Sequence, residues 1–188
     1  MYSTKIRIQS IIIQLADFFV GHIKKMNMNL LALNLDDYNA KHFYYLEPKK
    51  NMIMNGIFTK FIYTDPYFTM NEVFFYIPIQ YTYIDFNHDN DYYTVFFDIS
   101  QVQNASIIEK LNKLETEVLY HYAIFMNRRK CTSRIIVHKL TQGSFKIRKT
   151  KVYKPGDPPK HFLLKISGIW EADATYGLTS KFVEGTAN

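Results

Sequence analysis

The sequence predicts a mainly β chain of the α+β class, in which a small β-barrel carries one long helix between its middle strands. Three observations favour this architecture. Short aromatic and β-branched runs recur about every ten residues between residues 28 and 99, with turn-forming segments between them. One stretch, 104–126, has apolar residues at helical spacing, and strand patterns resume after it. The 188 residues suffice for one domain with a hydrophobic core.

The first 25 residues differ from those that follow. Their apolar residues are closely spaced and lean towards helix, so we expect an N-terminal extension over 1–25 that is packed on the domain or mobile. Residues 26–188 then form the single barrel domain. The apolar run at 11–20 is too short to span a membrane and lacks a small-residue cleavage site. We therefore expect neither a membrane segment nor a signal peptide.

The strands before the helix are predicted from composition. The runs "MNLLAL", "KHFYYL", "GIFTKFIYT", "EVFFYIPI" and "YYTVFFDI" are rich in residues that favour strands, and "EPKKN" and "TDPY" are typical turns. The spacing favours a sandwich or barrel over alternating strands and helices.

The helix is predicted from a repeating apolar face. Ser106 followed by Glu109 matches a capping box and predicts where the helix begins. The face itself consists of Ile107, Leu111, Leu114, Val118, Tyr122 and Phe125.

The strands after the helix alternate between apolar and basic residues. In "SFKIRK", Phe145 and Ile147 point one way and Lys146 and Arg148 the other. The stretch at 161–182 reads as a hairpin of two apolar strands joined by a short acidic turn, and it contains the only tryptophan, Trp170.

Positive charge is concentrated in one segment. Residues 121–165 contain twelve Lys and Arg and one acidic residue, Asp157, whereas the rest of the chain has eleven basic and sixteen acidic residues. Such clustering is typical of proteins that bind polyanions, and nucleic acid is the usual one. A solvated face that keeps the protein soluble is the alternative.

A single-strand binder needs cations for phosphates and aromatic rings for bases. The residues that we expect to supply them are Arg128, Arg129, Lys130, Arg134, Lys146, Arg148, Lys149, Lys151, Tyr153, Lys154 and Trp170. For each aromatic residue, packing in the core is the alternative. Trp170 belongs to the core if it alternates in phase with Ile166 and Gly168.

The sequence contains no motif of a familiar catalytic or metal site. The seven glycines form no phosphate-binding loop, and no histidine or cysteine spacing matches a metal site. The single cysteine, Cys131, cannot form an internal disulfide, which favours a reducing compartment. We therefore expect that the protein is not an enzyme and that it binds no metal and no cofactor.

Two segments carry a resemblance to a known family. The stretches "NGIFTKFIYTDPYFTMNEVFFYIPI" (55–79) and "FLLKISGIWEADATYGLTSKF" (162–182) are similar to a protein family of nucleocytoplasmic large DNA viruses. That family resembles the single-stranded-DNA-binding proteins of short-tailed phages, which have an OB-fold with a long helix in the middle. Glu72 departs from the pattern, because a glycine usually follows Asn71 there.

The resemblance implies an OB-like barrel that binds single-stranded DNA in viral replication or recombination. The alternative is a structural or internal virion protein, such as a minor capsid component of a large DNA virus. The expected partners are single-stranded nucleic acid, with DNA favoured, and viral replication or capsid proteins. Whether two copies of the chain form a homodimer is left open. The expected location is the host cytoplasm or nucleus at the viral replication site, or the virion.

Overall fold

A computed structural model describes residues 32–51, 55–86, 91–149 and 161–185. All of them lie in one compact unit, Ala32–Asn188. The N-terminal extension at 1–25, and the basic loop at 150–160 with Lys151, Tyr153 and Lys154, lie outside the described residues. Among the described helices, none has both the length and the apolar composition that a membrane crossing needs.

The described residues form twelve strands and two α-helices. The helices are the long helix, Val102–Met126, and the short helix, Ile135–Leu140. The strands, in chain order, are β1 Ala32–Leu33, β2 Phe43–Tyr45, β3 Lys49–Lys50, β4 Ile57–Thr64, β5 Thr69–Met70, β6 Val73–Tyr76, β7 Tyr81–Asp85, β8 Tyr92–Phe97, β9 Cys131–Ser133, β10 Ser144–Arg148, β11 His161–Glu171 and β12 Thr175–Gly185.

The strands belong to one largely antiparallel sheet. Its main order is β1-β6-β11-β12-β10-β8-β7, and β4 pairs with the far end of β11 and with β2, β3 and β5. The pairs β1–β6, β10–β12 and β9–β12 are parallel. The prediction of a mainly β chain with one long helix between strands is confirmed. In the described strands the sheet is open, since β1 and β7 end its order.

The long helix begins earlier than the capping box predicted. Its N-cap is Gln101, so Ser106 lies inside the helix and that part of the prediction is wrong. The reason is tertiary: the buried Asn104 side chain accepts a hydrogen bond from the N–H of Gln80 and donates to the carbonyls of Gln80 and Asp98, all at 2.9 Å. These bonds hold the first turn against the strands.

The core lies between the long helix and the inner face of the sheet. Five of the six residues of the predicted helix face are buried, and Phe125 is 43% exposed. Each fully buried side chain of this size contributes about 1.5–3 kcal/mol relative to an exposed one. Leu164, Phe182 and Ile147 continue this core on the central strands.

The short helix depends on a buried carboxylate. Glu115, on the long helix, is fully buried and accepts hydrogen bonds from the N–H groups of Ile136 (3.1 Å) and Val137 (3.2 Å). Burial raises the pKa of Glu115, although the backbone donors and Arg134 act in the opposite direction. The carboxylate satisfies N–H groups that the short helix cannot pair internally.

A β-bulge in β11 determines which residues face the core. The register shifts between Ile166 and Gly168. Beyond the shift, Ile169 and Glu171 are buried, and Trp170 shares the opposite face with Gly168. The bulge therefore takes Trp170 out of phase with Ile166.

Candidate nucleic-acid interface

Three lysines follow one another across the outer face of the sheet. Lys165 lies opposite Lys181 in the β11–β12 pair, and Ile147 lies opposite Phe182 in the parallel β10–β12 pair. In a parallel pair the preceding residues are also neighbours, so Lys146 lies beside Lys181. Lys165, Lys181 and Lys146 are named the lysine row.

The lysine row concentrates like charges on neighbouring strands. Adjacent strands are about 4.8 Å apart, and like charges placed directly opposite each other destabilise a sheet. The positive charge of Lys165 is offset by an ion pair with Glu72, and its Nζ lies 5.7 Å from the centre of the Phe74 ring. Lys146 and Lys181 are exposed, and neither has an ion pair within the described part of the chain. An anion bound there would relieve the repulsion.

Arg148 extends this basic surface along β10, because it is the next outward-facing residue after Lys146. Its Nη2 lies 3.9 Å from Asp91 Oδ2, but the two side chains are 73% and 80% exposed. An exposed pair of this kind contributes little, so the guanidinium remains available to an anion. Lys149 is half-buried, and its backbone N–H donates to the carbonyl of Asp91 at 2.7 Å.

Aromatic rings lie beside the basic residues on the same face. Tyr92 is the cross-strand neighbour of Arg148, and Thr94 is that of Lys146. Further along β8, Phe96 stacks on Tyr83 of β7, with ring centres 4.4 Å apart and planes 10° apart. Tyr83 is 56% and Tyr92 48% exposed. The outer-face rings Tyr83, Tyr92 and Phe96 are named the aromatic cluster.

Two of the predicted cations are engaged elsewhere. The carboxylate of Glu171, 1% exposed, lies 2.9 Å from Arg128 Nε and 3.3 Å from Lys130 Nζ. Lys130 also donates to the carbonyl of Ala172 at 2.7 Å. Because a buried carboxylate needs such partners, Arg128 and Lys130 hold the β11–β12 turn and do not join the lysine row.

The other predicted residues take separate positions. Arg129 is exposed. Arg134 donates to Asn112 Oδ1 at 3.2 Å, on the side of the long helix. Trp170 is half-buried on the outer face, opposite Phe58 of β4 and Gly177 of β12. The structure thus groups Lys146 and Arg148 on one surface and leaves Arg128, Lys130 and Arg134 away from the lysine row.

Most aromatic residues of the earlier strands form the core. Tyr45, Phe61 and Tyr63 are at most 3% exposed. Burial raises the pKa of Tyr45, with smaller contributions from Tyr122 and Tyr176. These rings are therefore not available for stacking on bases.

Sequence reasoning missed five residues of this surface: Lys165, Lys181, Tyr83, Tyr92 and Phe96. The signal for the two lysines lies in the hairpin, because counting back from its turn with one bulge brings Lys165 opposite Lys181. For the three aromatic residues no comparable local signal exists, since β8 carries aromatic rings on both of its faces and the sequence does not show which face is buried. In the described residues, no three His, Cys, Asp or Glu side chains gather as a metal site would require.

Comparison of the chain with protein-family models, with curated proteins and with solved structures found no match.

Proposed function

We propose that the protein binds single-stranded nucleic acid, with DNA favoured, on the outer face of β11, β12, β10 and β8, and that it does so without catalysing a reaction. The observation that carries the proposal is the lysine row beside the aromatic cluster, in which Tyr83 and Tyr92 are exposed. From the resemblance to a viral family we expect this activity in replication or recombination, at the viral replication site in the host cytoplasm or nucleus. An OB-like closed barrel is the architecture that we propose for the domain.

The two kinds of side chain have separate roles in this proposal. Lys146, Lys181 and Arg148 contact phosphates and release counterions, which makes binding weaker as salt rises. Tyr83 and Tyr92 stack on bases, which tolerates any sequence because every base has a π face. A duplex hides its bases from such rings, so the surface favours a single strand.

The test is fluorescence anisotropy of a labelled dT oligonucleotide across a salt series. For single strands, log affinity should fall by roughly 0.7 per phosphate contact for each decade of salt. Replacing Lys146 and Lys181 by alanine should lower affinity and flatten the slope by about 1.4, the share of two contacts. The matched control replaces Lys41 and Lys113, which are also exposed, and should keep the wild-type slope.

The proposal fails if a protein with a normal thermal melt binds no oligonucleotide, or binds it without salt dependence. An internal virion component would then be the better hypothesis. An equal loss of affinity in the Lys146/Lys181 and Lys41/Lys113 variants would also contradict it, because net charge and not the lysine row would then govern binding.

A further inference from the structure

A second group of aromatic and basic residues lies on the outer face, at the far end of β11. Phe58 and Trp170 are cross-strand neighbours there. Lys49 is opposite Phe58, and Lys60 is opposite Gly168. Both lysines are exposed, and neither makes an ion pair within the described residues. Lys49, Phe58, Lys60 and Trp170 are named the second patch.

The two rings of the second patch lie across glycines. A Cβ at Gly168 would be 2.5 Å from Phe58 Cζ, and one at Gly177 would be 2.9 Å from Trp170 Cζ2. Any side chain at these positions would displace the rings from the backbone. Both rings are half-buried, so part of each ring remains exposed to solvent, as stacking on a base requires.

The outer face of β12 connects the second patch with the lysine row. Lys181 and Gly177 are four residues apart on β12, which is about 13 Å, and Thr179 opposite Gly168 is the outer-face pair between them. Two strand spacings from β10 to β11 add about 10 Å across the sheet. The diagonal from Lys146 to Trp170 is thus about 16 Å.

We propose that a bound single strand runs from the aromatic cluster over the lysine row and along β12 to the second patch. There a base stacks on Trp170, and phosphates contact Lys60 and Lys49. The inference rests on the proposed function and extends its site. At the helical rise of about 3.4 Å per nucleotide the 16 Å path needs roughly five nucleotides, and an extended strand needs fewer, so only a very short oligonucleotide is confined to one of the two regions.

Trp170 is the only tryptophan of the chain, so its fluorescence reports the second patch directly. We expect dT12 to quench it, and we expect dT3, bound at the lysine row as measured by anisotropy, to quench it much less. Replacing Lys49 and Lys60 by alanine should weaken dT12 binding by roughly 5- to 100-fold and leave dT3 unchanged. Because both side chains are exposed, this variant should melt as the wild type does.

The inference is overturned if dT12 binds with salt-dependent anisotropy while Trp170 fluorescence is unchanged and the Lys49/Lys60 variant binds dT12 normally. In that case the lysine row still binds and the proposed function stands. If no oligonucleotide of any length binds, both proposals fall. Trp170→Phe provides a second variant that keeps an aromatic ring, and it should retain most of the dT12 affinity.

Discussion

Arg128 and Arg129 are adjacent in the chain, yet the structure places them in opposite environments. Arg128 Nε lies 2.9 Å from the buried carboxylate of Glu171, whereas Arg129 is exposed. Arg128→Met removes the charge and keeps much of the side chain's length. It should destabilise the fold, and Arg129→Met should not.

The size of this effect follows from burial. Removing one partner of a buried ion pair costs about 3–5 kcal/mol because the remaining charge is left uncompensated. Arg128 is 30% exposed, and Lys130 stays 3.3 Å from the same carboxylate, so part of the compensation survives. We expect a loss of about 2–3 kcal/mol, or about 4–12 °C in Tm for a chain of this length. Arg129→Met should stay within about 0.5 kcal/mol of the wild type.

The assay is urea unfolding of both variants, together with the salt dependence of oligonucleotide binding. Arg128→Met should unfold at lower urea and bind with the wild-type salt slope. The double variant with Glu171→Leu should recover much of the loss, since no buried charge is then left unpaired. Equal stability of the Arg128 and Arg129 variants would refute the structural role of Arg128. A flattened salt slope in Arg128→Met would mean that Arg128 contacts phosphates as well.

Three further predictions concern other buried or paired groups. Burial raises the pKa of Glu115, so the folded state holds its proton more firmly than the unfolded chain does. The free energy of unfolding should therefore fall as pH rises from the ordinary carboxyl pKa through the raised one. Urea unfolding midpoints measured across this pH range should show a smaller fall for Glu115→Gln. Asn104→Ala should cost about 2–4 kcal/mol in the same assay because buried backbone groups lose their partners, while exposed Gln103→Ala changes little. Glu72→Gln releases Lys165 and should raise oligonucleotide affinity about two- to fivefold at low salt. An unchanged or lower affinity would mean that Lys165 does not contact phosphates.

Glu72 and Asp91 lie at the margins of the basic surface. Glu72 pairs with Lys165, and Asp91 lies near Arg148. A nucleic-acid phosphate must compete with these carboxylates, whereas Lys146 and Lys181 between them have no such competitor among the described residues. The strongest attraction for an anion is therefore expected at the centre of the face.

Features that depend on local periodicity can be predicted from the sequence alone. Alternation in "SFKIRK" places Phe145 and Ile147 in the core and leaves Lys146 and Arg148 exposed, as the structure has them. Spacing of 3.6 residues predicted the long helix over 104–126, although the capping box at Ser106 misplaced its start. The terminal hairpin was recognisable from its two apolar runs and its turn. Side-chain direction within one element follows from its period, so a sequence suffices for such predictions.

Which charges and rings come together depends on the tertiary structure. Twelve basic residues cluster between 121 and 165, but Glu171, outside that segment, engages Arg128 and Lys130. The lysine row draws members from β10, β11 and β12, and its order depends on a bulge and on a parallel pairing. A one-residue shift of register moves every side chain of a strand to the other face, which is why Trp170 could not be assigned from the sequence. Register between distant strands depends on the whole sheet, and no local pattern contains it.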